Sequence, residues 1–471
     1  MNETLNKMDM GLRFRETFYR VAPFIGAMVV STIVAYGMIQ GSYSMLLLFI
    51  IIFLSLGVVT LAMPFEIILL FCLACVLLAD SYYVPDGINF YYTRFLPLGM
   101  LGVRSLMAMA IHRVKTDMLP GILLRPFGII FVLALLSTLY DEINPRMSLL
   151  RAISMGLMLA GLGVGIPTCM GDERRLRRGL HVLLLLLVGF IVPGFLTSPF
   201  NPRATLRLAE YARIGGFFTN PNTLGLMAML TLFPLIGWYY EAASRRTRGV
   251  LAFFIVLILL SLVFSGSRAS LIGTLVETVT FIIFIRINYR TKAMLIFLFA
   301  AVLVIYTAIP ELKPAIMRHD YGWRPELWKR AFELGLQSPW YGIGFGSTEQ
   351  LFEFDKPYMV SMGVPSAGSH SEYIRLFVAL GAPAVGIILF GFITILVKAA
   401  MVVHRMEHNM LPLSLMCAVI GGLVNAVFED WIFSFGGAPT IPFWCFLTIL
   451  VIFIKKNERP KQSSIQEGTE P

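Results

Sequence analysis

The sequence predicts an all-α polytopic membrane protein with about 12–14 transmembrane helices and one long extracytoplasmic loop. Three observations predict it. Apolar runs recur from residue 21 to residue 454 with short breaks, and many reach the roughly 17–25 residues that span hydrocarbon. The chain of 471 residues is 57% hydrophobic and 14% charged, against about 25% charged for soluble domains. Its basic residues gather in alternate breaks between the runs. Lipid offers no partner for backbone N–H and C=O groups, so the runs are helices or a closed barrel. They are continuous rather than alternating, which excludes the barrel.

In chain order the candidate spans are 21–40, 45–62, 65–80, 94–111, 126–140, 147–168, 181–198, 222–240, 249–264, 270–286, 293–309, 371–397, 411–428 and 439–454. Arg104 and Arg151 interrupt two of them. The first twenty residues are polar and basic and no small-residue cleavage site follows, which predicts a retained first helix. The tail from Asn457 to Pro471 is polar without apolar period and reads as disordered. The organisation expected is N-terminal helices over 1–198, a central region over 199–400, C-terminal helices over 401–456 and the cytoplasmic tail 457–471.

A cytoplasmic N-terminus puts nearly all basic breaks inside: Arg13–Arg20, Arg113–Lys115, Arg174–Arg178, Arg245–Arg248, Arg286–Lys292, His404–Arg405 and Lys455–Lys456. This distribution accounts for much of the +10 net charge and argues against a nucleic-acid partner; the partner expected around the spans is membrane lipid. Two outside segments carry basic residues against that rule. The first, 199–221, holds Arg203, Arg207 and Arg213; the second, 310–370, holds Lys313, Arg318, Arg324, Lys329, Arg330, Lys356 and His370. Arg268 sits in a third, very short outside turn. Long loops translocate regardless of charge, so solvation is one reading; an anionic ligand at the outer face is the other.

Within the long loop, Pro325 suits a first helical turn, and Leu327, Trp328, Ala331, Phe332 and Leu334–Leu336 form an apolar stripe. The stripe predicts a short amphipathic helix on the membrane surface. Gly342, Gly344 and Gly346 then read as a flexible turn rather than a nucleotide loop, because no strand precedes them. Cys72 and Cys75 lie mid-span and read as packing residues. His404 and His408 share a helical face but sit at the basic interface, where solvation outweighs metal binding. The chain has no G-x-S-x-G, Walker loop, H-E-x-x-H or D-x-D motif, so no cofactor and no metal is expected.

Four segments lie in order along the central region: YARIGGFFTNPNTLG (211–225), SGSRASLIG (265–273), RPELWKRAFELGLQSPWYGIGFG (324–346) and HSEYIRLFVALGAPAVG (370–386). They resemble the arginine-plus-N-P-N, S-R-S/A, R-x-x-x-W with P-x-x-G-x-G-x-G, and H-N-x-x-L with G-x-x-G segments of the O-antigen ligase and polysaccharide polymerase superfamily. Ser371 stands where that family usually has Asn. Residues 428–436, FEDWIFSFG, are similar to the exopolysaccharide-polymerase branch.

The resemblance implies a membrane glycosyltransferase of the lipid-linked-donor type in the bacterial inner membrane, working at its periplasmic face. Its donor would be an undecaprenyl-diphosphate-linked glycan. Its acceptor would be a lipid A–core sugar for a ligase or another glycan for a polymerase, with inversion and without metal. A diphosphate leaving group needs cations, and arginine binds phosphate oxygens bidentately. Arg213, Arg268 and Arg324 are the candidates; the alternative is snorkelling for Arg268 and loop solvation for the other two. His370, at the outer start of a span, is the candidate general base, with His319 and Glu372 as alternatives. A secondary transporter or flippase is the rival reading; it would carry mid-bilayer charges and two similar halves.

Overall fold

The computed structural model describes residues 63–81, 95–111, 119–200, 205–208, 211–286, 288–294, 323–361, 369–406 and 410–458. The spans expected at 21–40 and 45–62, most of that at 293–309, His319, His408 and residues 459–471 lie outside them. Every other expected span is a helix: α1 Phe65–Ala79, α2 Phe95–Ile111, α3 Gly121–Ser137, α4 Pro145–Met158, α6 Glu173–Thr197, α7 Pro221–Glu241, α8 Arg245–Ser265, α9 Arg268–Phe284, α12 Glu372–Arg405, α13 Met410–Asn425 and α14 Thr440–Glu458. A π-helical turn, Leu159–Val164, joins α4 to α5, Gly165–Cys169. Helices α10 (Trp323–Gly335) and α11 (Thr348–Ser361) belong to the long loop.

Among the described residues six helices are long and apolar enough to cross a membrane, and four more are shorter apolar helices. The protein is therefore an all-α multi-pass membrane protein. Starts are set by sequence. Asn144, Asp172, Asn220, Ser244 and Ser267 each accept a backbone N–H of the following turn, and Pro145 and Pro221 occupy the first position of α4 and α7.

Helix α13 lies between α7 and α9, and its Leu411, Leu415, Cys417 and Val419 are fully buried. Cys72 is likewise fully buried as a packing residue of α1, and Cys75 is a partly buried free thiol. The bundle ends differ in charge. One end gathers Arg174–Arg178, Arg245–Arg248, Lys398 and Lys455, with Arg286 donating to the His404 carbonyl. The other end gathers the starts of α7, α9 and α12 around the non-helical segment 426–439.

The described part of the long loop, 323–361, packs against the bundle. Leu327, Ala331 and Leu334 of α10 are buried against α11 and the first turns of α12, so that part of the stripe faces protein, while Phe332 and Leu336 stay about half exposed. The segment Gly342–Gly346 is not a flexible turn. Helix α12 breaks at Gly381 (φ 81°), before Pro383. The break leaves the Val378 and Ala379 carbonyls to accept Ile343 N and Gly344 N at 3.0 Å each, while Ala382 N donates to the Pro339 carbonyl at 2.8 Å. A Cβ at Gly342 would stand 2.3 Å from the Ala379 carbonyl, so only glycine admits this approach. On the loop's other face Phe345 N donates to Ser137 Oγ (3.1 Å) and Ser347 Oγ to Asp141 Oδ1 (2.6 Å).

Candidate active site

The segment 199–221 contains a short antiparallel hairpin that periodicity did not predict: β1 Thr205–Leu208 and β2 Tyr211–Ile214, with Leu206 opposite Arg213. After it the chain turns at Gly216 (φ 63°) and is tied to the end of α1, where Thr219 N donates to the Asp80 carbonyl at 3.3 Å. Asn220-Pro221-Asn222 then starts α7. This brings Arg213, 7% exposed, against the α8–α9 turn, where its Nε donates to the Ser265 carbonyl at 2.9 Å.

That turn has its own logic. Gly266 ends α8 in the left-handed conformation (φ 62°), and Ser267 caps α9 through Ser270 N. Arg268 is therefore the first residue of α9, partly exposed, where the positive end of the helix dipole disfavours it. A cation added to a helix N-terminus weakens the helix but sharpens its attraction for an anion. Asn425 Nδ2 donates to Ser270 Oγ (3.2 Å), and Trp431 Nε1 to Asn425 Oδ1 (2.9 Å), which docks the start of α9 on the 426–439 segment.

Glu429 of that segment joins two of the arginines. Arg213 donates to Asn222 Oδ1, and Asn222 Nδ2 donates to Glu429 Oε1 at 2.9 Å. From the other side Arg324 of α10 donates to Glu429 Oε1 at 3.4 Å and to the Phe428 carbonyl at 3.1 Å. Trp328, one turn after Arg324, lies 6.1 Å from the Phe428 ring. Burial pushes the Glu429 carboxyl up to about 7, with Asp430 adding to the shift and Arg324 and Arg213 opposing it.

His370 precedes α12 in a left-handed backbone conformation (φ 42°), which costs a non-glycine residue of order 1 kcal/mol. The bend is held by Ser369 Oγ, which donates to the Ser371 carbonyl (3.0 Å), and by Glu372 N, which donates to the Ala426 carbonyl (2.9 Å). Burial lowers the His370 imidazole below its usual value; Asp430 opposes this and Arg324 adds to it. This lowering favours the neutral imidazole, the form that can accept a proton.

Glu372, the weaker alternative base, is fully buried, pairs with Arg375 and accepts Phe433 N at 3.4 Å. Through the bond from Phe433 N it anchors the 426–439 segment. Arg375 also reaches Glu349 of α11 (3.7 Å), and Glu349 in turn pairs with Arg151. The arginine that interrupts the α4 span is thereby matched from the long loop.

The structure thus links Arg213 to Arg324 through Asn222 and Glu429, sets Arg213 on the turn that presents Arg268, and puts His370 within the field of Arg324. Sequence reasoning missed Asn222 and Glu429. Its available signal was Glu429-Asp430, an acidic pair between two apolar runs. Residues 251–390 match the family model described as O-Antigen ligase. The match contains Arg268, Arg324 and His370, while Arg213, Asn222 and Glu429 lie outside it. It bears out the resemblance to the O-antigen ligase and polymerase superfamily, and the family implies transfer of a glycan between a lipid-linked donor and an acceptor. No curated protein matches the chain.

Proposed function

We propose, from the premise of an O-antigen ligase-type domain, that this chain transfers an undecaprenyl-diphosphate-linked glycan to an acceptor hydroxyl at the periplasmic face of the inner membrane. The observation that carries this reading is the network Arg213–Asn222–Glu429–Arg324, assembled from three chain regions at the end of the bundle opposite the basic clusters. By the positive-inside rule the basic end is cytoplasmic and the network external. The catalytic region proposed over 199–400 then extends to the 426–439 segment.

In the proposed reaction Arg213, Arg268 and Arg324 hold the diphosphate. The two hydrogen bonds of Arg213 to Ser265 and Asn222 orient a guanidinium that has five donors. Glu429 positions Arg324, and Asn222 carries the same constraint to Arg213. The acceptor oxygen attacks the anomeric carbon from the face opposite the diphosphate. The glycosyl–phosphate bond breaks, its electron pair leaves on the diphosphate, and His370 takes the hydroxyl proton. The anomeric configuration inverts. Arginines supply the charge stabilisation that a metal supplies elsewhere, so the reaction is proposed to be metal-independent.

Single-turnover transfer from purified lipid-linked glycan tests this reading, with variants at equal membrane expression; absence of transfer in the wild type refutes it. Glycan analysis of a deletion strain separates the acceptors. Full-length lipid-linked polymer accumulates for a ligase and single lipid-linked repeats for a polymerase, and the 428–436 segment favours the polymerase.

The rival transporter has one observation on its side. Glu277 of α9 is fully buried, and neither carboxyl oxygen finds a hydrogen-bond donor among the described residues. Glu277→Gln should leave glycan transfer within about twofold if the residue only packs. Radiolabelled solute flux in proteoliposomes that Glu277→Gln abolishes supports the transporter instead.

A further inference from the structure

At the bundle end opposite His370 and Glu429, a groove of about 410 Å³ opens between α3, α12 and α14. Its volume falls within the range of small-molecule sites, roughly 300–1,000 Å³. Pro120, Ile122, Pro126, Phe390, Val451 and Ile454 give it an apolar wall. Gly391 sets its depth: a Cβ there would stand 3.0 Å from the Pro126 ring, so α12 and α3 meet closely beneath it. The wall continues outward along α12 over Phe390, Ile393 and Val397, all more than half exposed and on a lipid-facing helix.

The rim is cationic. Arg125, Lys398 and Lys455 line the groove and Glu458 is the one carboxylate among its lining residues, an excess of two positive charges. Lys398 Nζ meets Glu458 Oε1 at 2.7 Å with both side chains over a third exposed, Lys455 donates to the Leu119 carbonyl, and Arg125 is exposed. A cationic rim above an apolar groove on a spanning helix is complementary to an anionic headgroup above an acyl chain. Snorkelling alone explains cations at the interface but not a cleft between three helices beside them.

We propose that this groove holds one anionic glycerophospholipid, its phosphate at Arg125, Lys398 and Lys455 and an acyl chain along Phe390, Ile393 and Val397. The site is independent of the transferase reading, and the groove lies outside the residues assigned to that chemistry. It serves as a fixed lipid that seals the contact of α12 with α3 and α14.

Native mass spectrometry of the full chain, loaded with equimolar phosphatidylglycerol and phosphatidylcholine, tests it. The wild type should retain phosphatidylglycerol in preference, and Arg125→Gln with Lys455→Gln should cost roughly fivefold in retention per charge removed. Glu458→Gln should act in the opposite direction and raise retention, which a folding defect does not imitate. Arg174→Gln with Arg175→Gln, at the same end but away from the groove, should leave the preference unchanged. Equal retention of the two lipids by the wild type overturns the proposal, as does equal loss from the Arg174 and Arg175 control. A severalfold rise on deleting residues 459–471 also overturns it, because the occupant is then the chain's own tail.

Discussion

Asn222 Nδ2 donates to Glu429 Oε1 across 2.9 Å, a bond between residues 207 positions apart that ties the start of α7 to the segment after α13. Glu429 Oε1 also receives Arg324, and Asn222 Oδ1 receives Arg213. One amide and one carboxylate therefore hold two arginines from opposite sides. Arginines held in advance lose little conformational entropy when an anion arrives, which is the physical content of preorganisation.

The same carboxylate competes with a diphosphate for Arg324, and this gives donor binding a pH dependence. Burial holds the Glu429 carboxyl up at about 7 with no donor bound. A bound diphosphate disfavours its charged form further, so donor binding takes up a proton. Affinity should therefore rise as pH falls towards 7, by at most about tenfold per unit for one proton, and level off below it. Asp430, Arg324 and Arg213 face the same carboxyl and are common to both proteins, so the difference between wild type and Glu429→Gln isolates it. Lipid-donor titrations at several pH values check this; parallel slopes for the two proteins remove Glu429 as the linked group.

The helices were legible because lipid leaves them no alternative, and each expected span within the described residues is one. Arg213, Arg268, Arg324 and His370 were legible as charges on the unfavoured side or at span ends. What stayed hidden is non-local. No periodicity announces the β1–β2 hairpin, and α11 carries Pro357 within a polar helix. Neither the 207-residue step from Asn222 to Glu429 nor the clamp of Glu349 on Arg151 and Arg375 leaves a local trace. The glycines misled for the same reason: Gly342 reads as freedom in one dimension and is close packing in three.

Gly342→Ala should therefore unfold or misassemble the protein. Its Cβ would collide with the backbone at Ala379, and the residue holds φ 70°. Overpacking and the left-handed conformation together cost about 2–4 kcal/mol. Gly386→Ala, with nothing within 4 Å of the new methyl, is the matched control. Size-exclusion profiles and thermal midpoints in detergent compare the pair, and similar midpoints contradict the packed-loop account.

Arg268→Ala should lower single-turnover transfer by about 10²–10³, the usual loss of one preorganised donor, and should weaken donor binding as well. Arg268→Lys should recover only part of either, because an ammonium cannot make the bidentate contact. The test reads both quantities at equal expression. Unchanged donor affinity in Arg268→Ala returns the residue to a solvated turn charge.

Divalent metal should be dispensable. Transfer in excess EDTA should run within about twofold of the untreated rate if the arginines carry the leaving-group charge. A strict need for Mg²⁺ or Mn²⁺, restored on readdition, contradicts that assignment.

His370 gives the sharpest test, because two properties are joined in one residue. Its backbone is strained at φ 42°, and its imidazole is lowered below 6.5, first by burial and then by Arg324 against Asp430. A base must be deprotonated to act, so the transfer rate should climb with pH through a midpoint below 6.5 and be level above it. His370→Ala should lose that acid limb along with roughly 10²–10⁴ of the rate. Donor affinity should stay near wild type, since the imidazole acts on the acceptor. Arg324→Gln removes one cause of the lowered value, so any residual activity should show the acid limb shifted towards higher pH. That shift is the decisive reading: a merely structural histidine gives a slow variant with no titrating limb to move. A His370→Ala enzyme that retains the limb transfers the role of base to another group, with His319 the first to examine.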